Sequence, residues 1–379
     1  MKNQKKITYT FIDDYEALIS ESEGLISENI IGVDLESDSL FHYKEKVCLL
    51  QISTESRNIL IDPLAVKDLS PLAPVFSSRK ITKVLHGSDY DIRSLYRDFS
   101  IEVNSLFDTQ IAARLIGIRE TGLANLLKFF FNATLQKKYQ KKDWSKRPLP
   151  EAMLTYAVYD TNYLIPLSRI LGSHLAEKVR TGWFMEECEL LTGVRHSAQN
   201  EDPLFYKFKG ARKLAPLNLA VLDRILRLRE DIAEKTDRPP FKVLQNDQIM
   251  KAANKLPLTP EDIGFLSSRQ ARTMGRAIIR TVKEVMELPE SELPVFPKNK
   301  IKPVETGTSG CIKVLKKWRQ DTSHALDIEL SLVCTNAQIQ ALSIASPKSI
   351  QSLKETGILK NWQAEMFAEE LCSILNSTD

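Results

Sequence analysis

Two acidic residues at alternate positions, Asp34 and Glu36, close the apolar run Ile30, Ile31 and Val33 in the stretch "IIGVDLESDSL", 30–40. Residues two apart on a strand face the same way, so both carboxylates stand on one face at the mouth of a buried strand. Roughly 5 to 7 Å apart, two such groups raise each other's pKa unless a cation sits between them. A solvated strand end is the plain alternative for an isolated D-x-E.

Other acids keep odd company. In "MLTYAVYDTNYL", Tyr156 and Asp160 are four apart, which places them on one face of a helix. Asp160 stands among Tyr156, Ala157, Val158, Tyr159, Tyr163 and Leu164, with no Lys or Arg three or four residues away. Asp is a poor residue inside a helix, and a buried charge is costly unless paired or bound to metal. In "KVLHGSDYDIRSLYRDF" a strand ends at His86-Gly87 and a helix starts. Ser88 as its cap makes Asp91 the third helical residue, so a capping box competes with a chemical role. Asp108, in "NSLFDTQIAARLIG", reads first as a helix cap and second as support for a site. Asp34, Glu36, Asp91 and Asp160 together form an all-oxygen set without Cys or His, which favours Mg²⁺ or Mn²⁺ over zinc. Two such ions about 4 Å apart can activate water and stabilise a leaving oxygen in phosphoryl transfer. A tyrosine one turn from a metal-binding Asp could orient that water.

The elements that must carry these groups lie in the first ~195 residues. β-Branched runs at "ITYTFI", "NIIGVDL", "VCLLQIS", "NILIDP" and "ITKVLHG" read as strands. Helical periodicity covers about 13–28, 88–98, 108–116, 121–131, 150–172 and 175–192. The strands are closely spaced, so hairpins are expected among them, and the fold class is α/β, a mixed sheet flanked by helices. From about 203 the strand signals stop. Leu219, Leu222, Ile225, Leu226 and Ile232 mark an amphipathic helix ended by Pro239-Pro240, and "LTPEDIGFL" carries a helix-start signal. The expected boundaries are 1–200 for the α/β domain, 203–288 for a helical module, 289–309 for a Pro-rich linker and 310–379 for a second, all-α module that reads as a diverged copy of the first.

Bulk properties set limits. A net charge of +3 over 379 residues is slight, so nucleic-acid binding must rest on local patches. Cys48, Cys188, Cys311, Cys334 and Cys372 form no C-x-x-C pair, and the His residues form no H-E-x-x-H set. That excludes a zinc ribbon or disulfide framework and fits a reducing compartment. No apolar run reaches signal-peptide or membrane-span length, so the chain reads as cytoplasmic, with no membrane partner.

The three acidic segments resemble the Exo I, II and III motifs of the DEDD exonucleases, in that order. "VDLES" matches the first, "HGSDYDIRSL" the second and "YAVYD" the Y-x-x-x-D of the tyrosine (DEDDy) branch. "LFDTQIAARLIG" and "KKYQKKDWSKRPLPEAMLTYAVYDTNYL" resemble ribonuclease D and its exosome-associated relatives. The helical blocks resemble the HRDC module (helicase-and-ribonuclease-D C-terminal), twice. The resemblance implies an RNase H-like sheet and a 3′–5′ exoribonuclease using two divalent ions. Asp34, Glu36 and Asp160 would hold the ion that binds the nucleophilic water. Asp34 would bridge to the second ion, Asp91 would support it in part through water, and Tyr156 would position the water. The products would be nucleoside 5′-monophosphates, the substrate structured RNA such as tRNA precursors, and the enzyme a monomer. Bacterial members often read D-T-E-F where this chain has Asp34-Leu35-Glu36-Ser37, so Leu35 or Phe41 would replace the aromatic against the terminal base. The D-L-E form stands nearer the exosome-associated branch.

Cations and rings interleave in "KKYQKKDWSKRP", 137–148, and in "YKFKGARKL", 206–214, a composition suited to a single strand. Lys141, Lys142, Trp144 and Arg147, with Leu35 and His86, are the expected nucleic-acid contacts, and Trp144 reads equally as a packing anchor. Two rival readings remain open from the sequence. One is a DNA exonuclease of the proofreading or Werner type, and the other an inactive RNA-binding scaffold.

Overall fold

The computed structural model describes residues 8–135, 138–195, 202–296 and 306–377. The chain divides into two compact units, one of residues 1–36, 47–196 and 301–379, the other of 37–46 and 197–300.

The first unit is built on a six-stranded mixed sheet in the order β1-β4-β3-β2-β5-β6. The strands are β1 Thr10–Ile12, β2 Ile30–Ser37, β3 Val47–Ser53, β4 Asn58–Ile61, β5 Thr82–Leu85 and β6 Leu106–Asp108. β3 and β4 pair antiparallel as the hairpin expected of closely spaced strands, whereas β1 runs parallel to β4, β5 to β2 and β6 to β5. Every residue of β3 is buried, which is why "VCLLQIS" does not alternate. β6 is three residues long and was not expected from the sequence, because so short a run carries no periodicity. Helices Tyr15–Leu25, Asp89–Phe99, Thr109–Leu115, Leu123–Phe131, Glu151–Asn162, Leu164–Glu177 and Thr181–Thr192 complete the α/β part.

Two local features set the helices against the sheet. A Cβ on Gly32 would lie 3.0 Å from the Thr161 carbonyl and 3.2 Å from Leu164 Cβ, so the missing side chain lets the Glu151–Asn162 helix approach β2 closely. The same helix is tied to β3 by Thr161 Oγ1 and Ser53 Oγ, 2.5 Å apart. The second helical module, from Thr306–Leu326 to Asn361–Ser377, shares the hydrophobic core of this unit. Trp362 stacks on Trp183 at 4.5 Å, and Glu186 accepts from the backbone N–H groups of Asn361 and Trp362.

The second unit packs helices Pro216–Lys235, Asn246–Lys255 and Arg276–Met286 around a core of its own. The segment 37–46, inside the expected 1–200 domain, belongs here: Asp237 accepts from the Tyr43 N–H and lies 2.7 Å from His42 Nδ1. The expected 289–309 linker lies partly outside the described residues, and the helix Thr306–Leu326 begins inside it. No described helix is long and apolar enough to cross a membrane.

Candidate active site

β2 carries Asp34 and Glu36, and the Glu151–Asn162 helix carries Tyr156 and Asp160. Single oxygens of Asp34, Glu36 and Asp160 all lie within 4.8 Å of one another. These three and Tyr156 line a cavity of about 410 Å³ with Leu35, His86, Gly122, Leu123, Asn125 and Gln140. Asp91 stands on the first turn of the Asp89–Phe99 helix, 8% exposed, outside the tight trio. Among the described residues no Lys, Arg or His pairs with any of the four acids.

Like charges in a poorly solvated place hold their protons. Burial pushes Asp34 up to about 7, and only a backbone hydrogen bond opposes it. Burial likewise lifts Glu36 well above the usual range, helped by the charges of Asp34, Asp160 and Asp91. Asp91 and Asp160 are raised by burial and then by Asp34. Tyr156 is raised by burial and then by the neighbouring carboxylates, Asp160 foremost. A cluster of oxygen donors without a cation fits hard divalent ions, which would supply the missing charge.

The capping box expected at Asp91 does not form; Ser88 makes no side-chain cap bond, and its hydroxyl donates to Asp108 Oδ2 at 2.8 Å. Asp108 is fully buried and also accepts from the N–H groups of Gly87, Ser88, Gln110 and Ile111. It therefore caps its own helix and ties down the turn that leads to Asp91. Gly87 takes φ +68°, the left-handed conformation that this turn needs.

Residues 9–176 match the 3′–5′ exonuclease domain family, and 218–282 and 309–375 each match the HRDC domain family. Ribonuclease D of Pseudomonas paraeruginosa is 27% identical over 374 residues, 97% of each chain. The crystal structure of Escherichia coli RNase D, an exoribonuclease involved in structured RNA processing, aligns over 98% of this chain and 99% of that one, at 25% identity and TM-score 0.74. The catalytic core of RRP6 from Trypanosoma brucei is 31% identical over 75% of this chain and 81% of that one, with TM-score 0.66. The chain belongs to the ribonuclease D family. It is thus a 3′–5′ exoribonuclease; exonucleases of this kind use divalent metal ions, and the chain holds an acidic cluster.

Within this ribonuclease D fold two expected RNA contacts are corrected. Trp144 is fully buried and cannot stack on a base; its ring packs 6.1 Å from that of Tyr156, with Tyr139 at 5.7 Å from Tyr156. Arg147 spends its guanidinium inside the fold, on both oxygens of Asp62 and on the carbonyls of Cys48, Trp144 and Lys146. Its charge is already matched, so the loop is clamped rather than offered to a strand. Lys141 and Lys142 remain exposed, while Lys137 lies outside the described residues. Leu35 and His86 do line the cavity, whereas the ring of Phe41 lies 4.2 Å from Lys242 Nζ. Gly122, Leu123 and Asn125 were not singled out from sequence, since an apolar helix start carries no chemical signature.

Proposed function

We propose that the chain trims the 3′ ends of structured RNA precursors, transfer RNA among them, with two divalent ions, Mg²⁺ or Mn²⁺, releasing nucleoside 5′-monophosphates. The observation that carries this is the trio of carboxylates brought together in one cavity, Asp160 buried and Asp34 and Glu36 half-buried. Asp34, Glu36 and Asp160 would hold one ion, and Asp34, with Asp91 acting partly through water, the other. Such ions lower the pKa of water and stabilise the departing oxygen. Tyr156, held protonated by its surroundings, orients the attacking water by a hydrogen bond and does not itself act as a base.

The cavity wall suits the end of an RNA strand. The helix Leu123–Phe131 opens at Gly122 without a side-chain cap, so the N–H groups of Leu123 and Ala124 can meet a phosphodiester, that of Asn125 being held by the Gly122 carbonyl. The Thr109 hydroxyl donates to the Leu85 carbonyl and so receives the Nδ1–H of His86 at 2.9 Å. Burial keeps that imidazole neutral, which leaves Nε2 as an acceptor for a terminal ribose hydroxyl. Leu35 supplies an apolar surface for the terminal base, and exposed Lys141 and Lys142 meet the strand. Free cysteines, all buried, accord with a cytosolic enzyme, which we read as a monomer.

The test is incubation of the purified protein with a 3′-extended tRNA and a matched DNA strand, with the products identified. Progressive shortening of the RNA with release of 5′-monophosphates is expected. Preference for DNA would overturn the assignment of substrate.

A further inference from the structure

Asn125 brings a neutral amide to the wall of the catalytic cavity, on the first turn of the helix Leu123–Phe131. Its Nδ2 donates to Glu120 Oε2 at 2.7 Å. An ionised carboxylate only accepts, so the nitrogen must be the atom that faces Glu120, and Oδ1 is thereby turned away from it. That oxygen and the second Nδ2 hydrogen have no partner among the described residues. Gln140 also lines the cavity, but it is exposed and has no hydrogen bond among the described residues, so nothing sets the aim of its amide.

The aim of Asn125 is anchored from outside the cavity. Glu120 lies in the loop between the Thr109–Leu115 and Leu123–Phe131 helices. In that loop Gly117 takes φ +97°, and a Cβ there would lie 2.7 Å from both the carbonyl and a carboxylate oxygen of Asp327. Arg119 Nη2 donates to Asp327 Oδ1 at 2.9 Å. The loop is therefore held against the second helical module, which belongs to the same compact unit.

Substrate chemistry supplies a match for this amide. The N–H groups of Leu123 and Ala124, just before Asn125, are the ones open to the scissile phosphodiester. The ribose on the 5′ side of that phosphodiester carries the leaving 3′ oxygen and, on the adjacent carbon, a 2′-hydroxyl. This is the ribose hydroxyl nearest the phosphate. It both donates and accepts, as the two unused functions of the Asn125 amide do. In DNA the same carbon offers only hydrogen.

We propose that Asn125 reads the 2′-hydroxyl of the penultimate ribose, positioned by Glu120, and so makes the catalytic cavity select RNA. The inference rests on the exoribonuclease reading of that cavity. Oδ1 of Asn125 accepts from the hydroxyl; a deoxyribose would leave the amide facing carbon where the strand has displaced water, a loss of about tenfold in preference.

The experiment compares two short 5′-labelled RNA strands, identical except for a 2′-deoxyribose at the penultimate position. In single turnover with Mg²⁺ the unmutated chain should remove the last nucleotide of the all-ribose strand about tenfold faster. Asn125→Leu should lose that factor on the all-ribose strand and nothing further on the deoxy strand. A merely structural defect would slow both alike. Glu120→Ala should lower the ratio without erasing it, because the amide then turns freely. The full chain made inactive by Asp160→Asn should bind the all-ribose strand with the lower Kd, a preference that added Asn125→Leu removes. Equal rates on the two strands by the unmutated chain, or a ratio preserved in Asn125→Leu with native circular dichroism, would overturn the proposal. If neither strand is cleaved yet the difference in Kd stands, the catalytic assignment fails and the reading of the hydroxyl survives.

Discussion

At the scale of single residues, the four acids have no Lys, Arg or His partner among the described residues, and a divalent ion would supply the missing charge. Asp160→Asn should lower RNA hydrolysis at least a thousandfold, about 4 kcal/mol in the barrier, while RNA binding and folding persist. Tyr156→Phe should lose on the order of a hundredfold in kcat with little change in KM, because only orientation of the water is removed. Stability should carry the mark of the same groups. Asp34, Glu36, Asp91 and Asp160 all have folded pKa values above the ordinary carboxylate range. Between those ranges the folded chain binds more protons than the unfolded one, so stability falls as pH rises. In EDTA, Tm should therefore decline from about pH 5 through 7, where Asp34 titrates, and on toward 8. Mg²⁺ should reverse the decline, and Asp160→Asn should flatten it. A Tm that climbs over that window in EDTA would contradict the electrostatic account.

At the scale of elements, the chemistry is positioned by close contacts that the sequence shows unevenly. The alternation of Asp34 and Glu36, and the one-turn spacing of Tyr156 and Asp160, were legible because they follow the periods of strand and helix. Asp108 was legible as a cap for its own helix, but its grip on the Gly87–Ser88 turn joins residues some twenty positions apart and has no local pattern. Trp144 and Arg147 misled for the same reason. Their basic and aromatic neighbourhood reads as an RNA surface until Asp62 and the Cys48 carbonyl are seen to absorb the guanidinium. Trp144→Ala should then cost about 3 to 5 kcal/mol of stability, and with it the placing of Tyr156. A loss of RNA affinity with no shift in Tm would instead restore the stacking role. Gly32→Val should press on the Thr161 carbonyl and Leu164, costing roughly 1 to 3 kcal/mol and more activity than stability. Thermal melts beside steady-state rates separate these outcomes.

At the scale of the whole molecule, chain order and spatial grouping part company. Local periodicity revealed a sheet followed by two helical modules, yet residues 37–46 join the first module and the second module joins the catalytic unit. No local pattern records such long-range docking. Lys360 Nζ meets both oxygens of Glu187, Arg180 reaches the Leu326 carbonyl, and Arg114 pairs with Glu329. Trp362→Ala should accordingly lower the Tm of the catalytic unit by several degrees, an effect of about 3 kcal/mol or more. Unaltered melting would mean that the module is only tethered. The central claim, that four acids and a tyrosine hydrolyse RNA from its 3′ end with divalent ions, is tested most directly on a 5′-labelled structured RNA. With Mg²⁺ the unmutated chain should give a ladder shortening from the 3′ end and free 5′-monophosphates, silenced by EDTA and absent with Asp160→Asn. An intact RNA, or a ladder made equally well by Asp160→Asn, would contradict it.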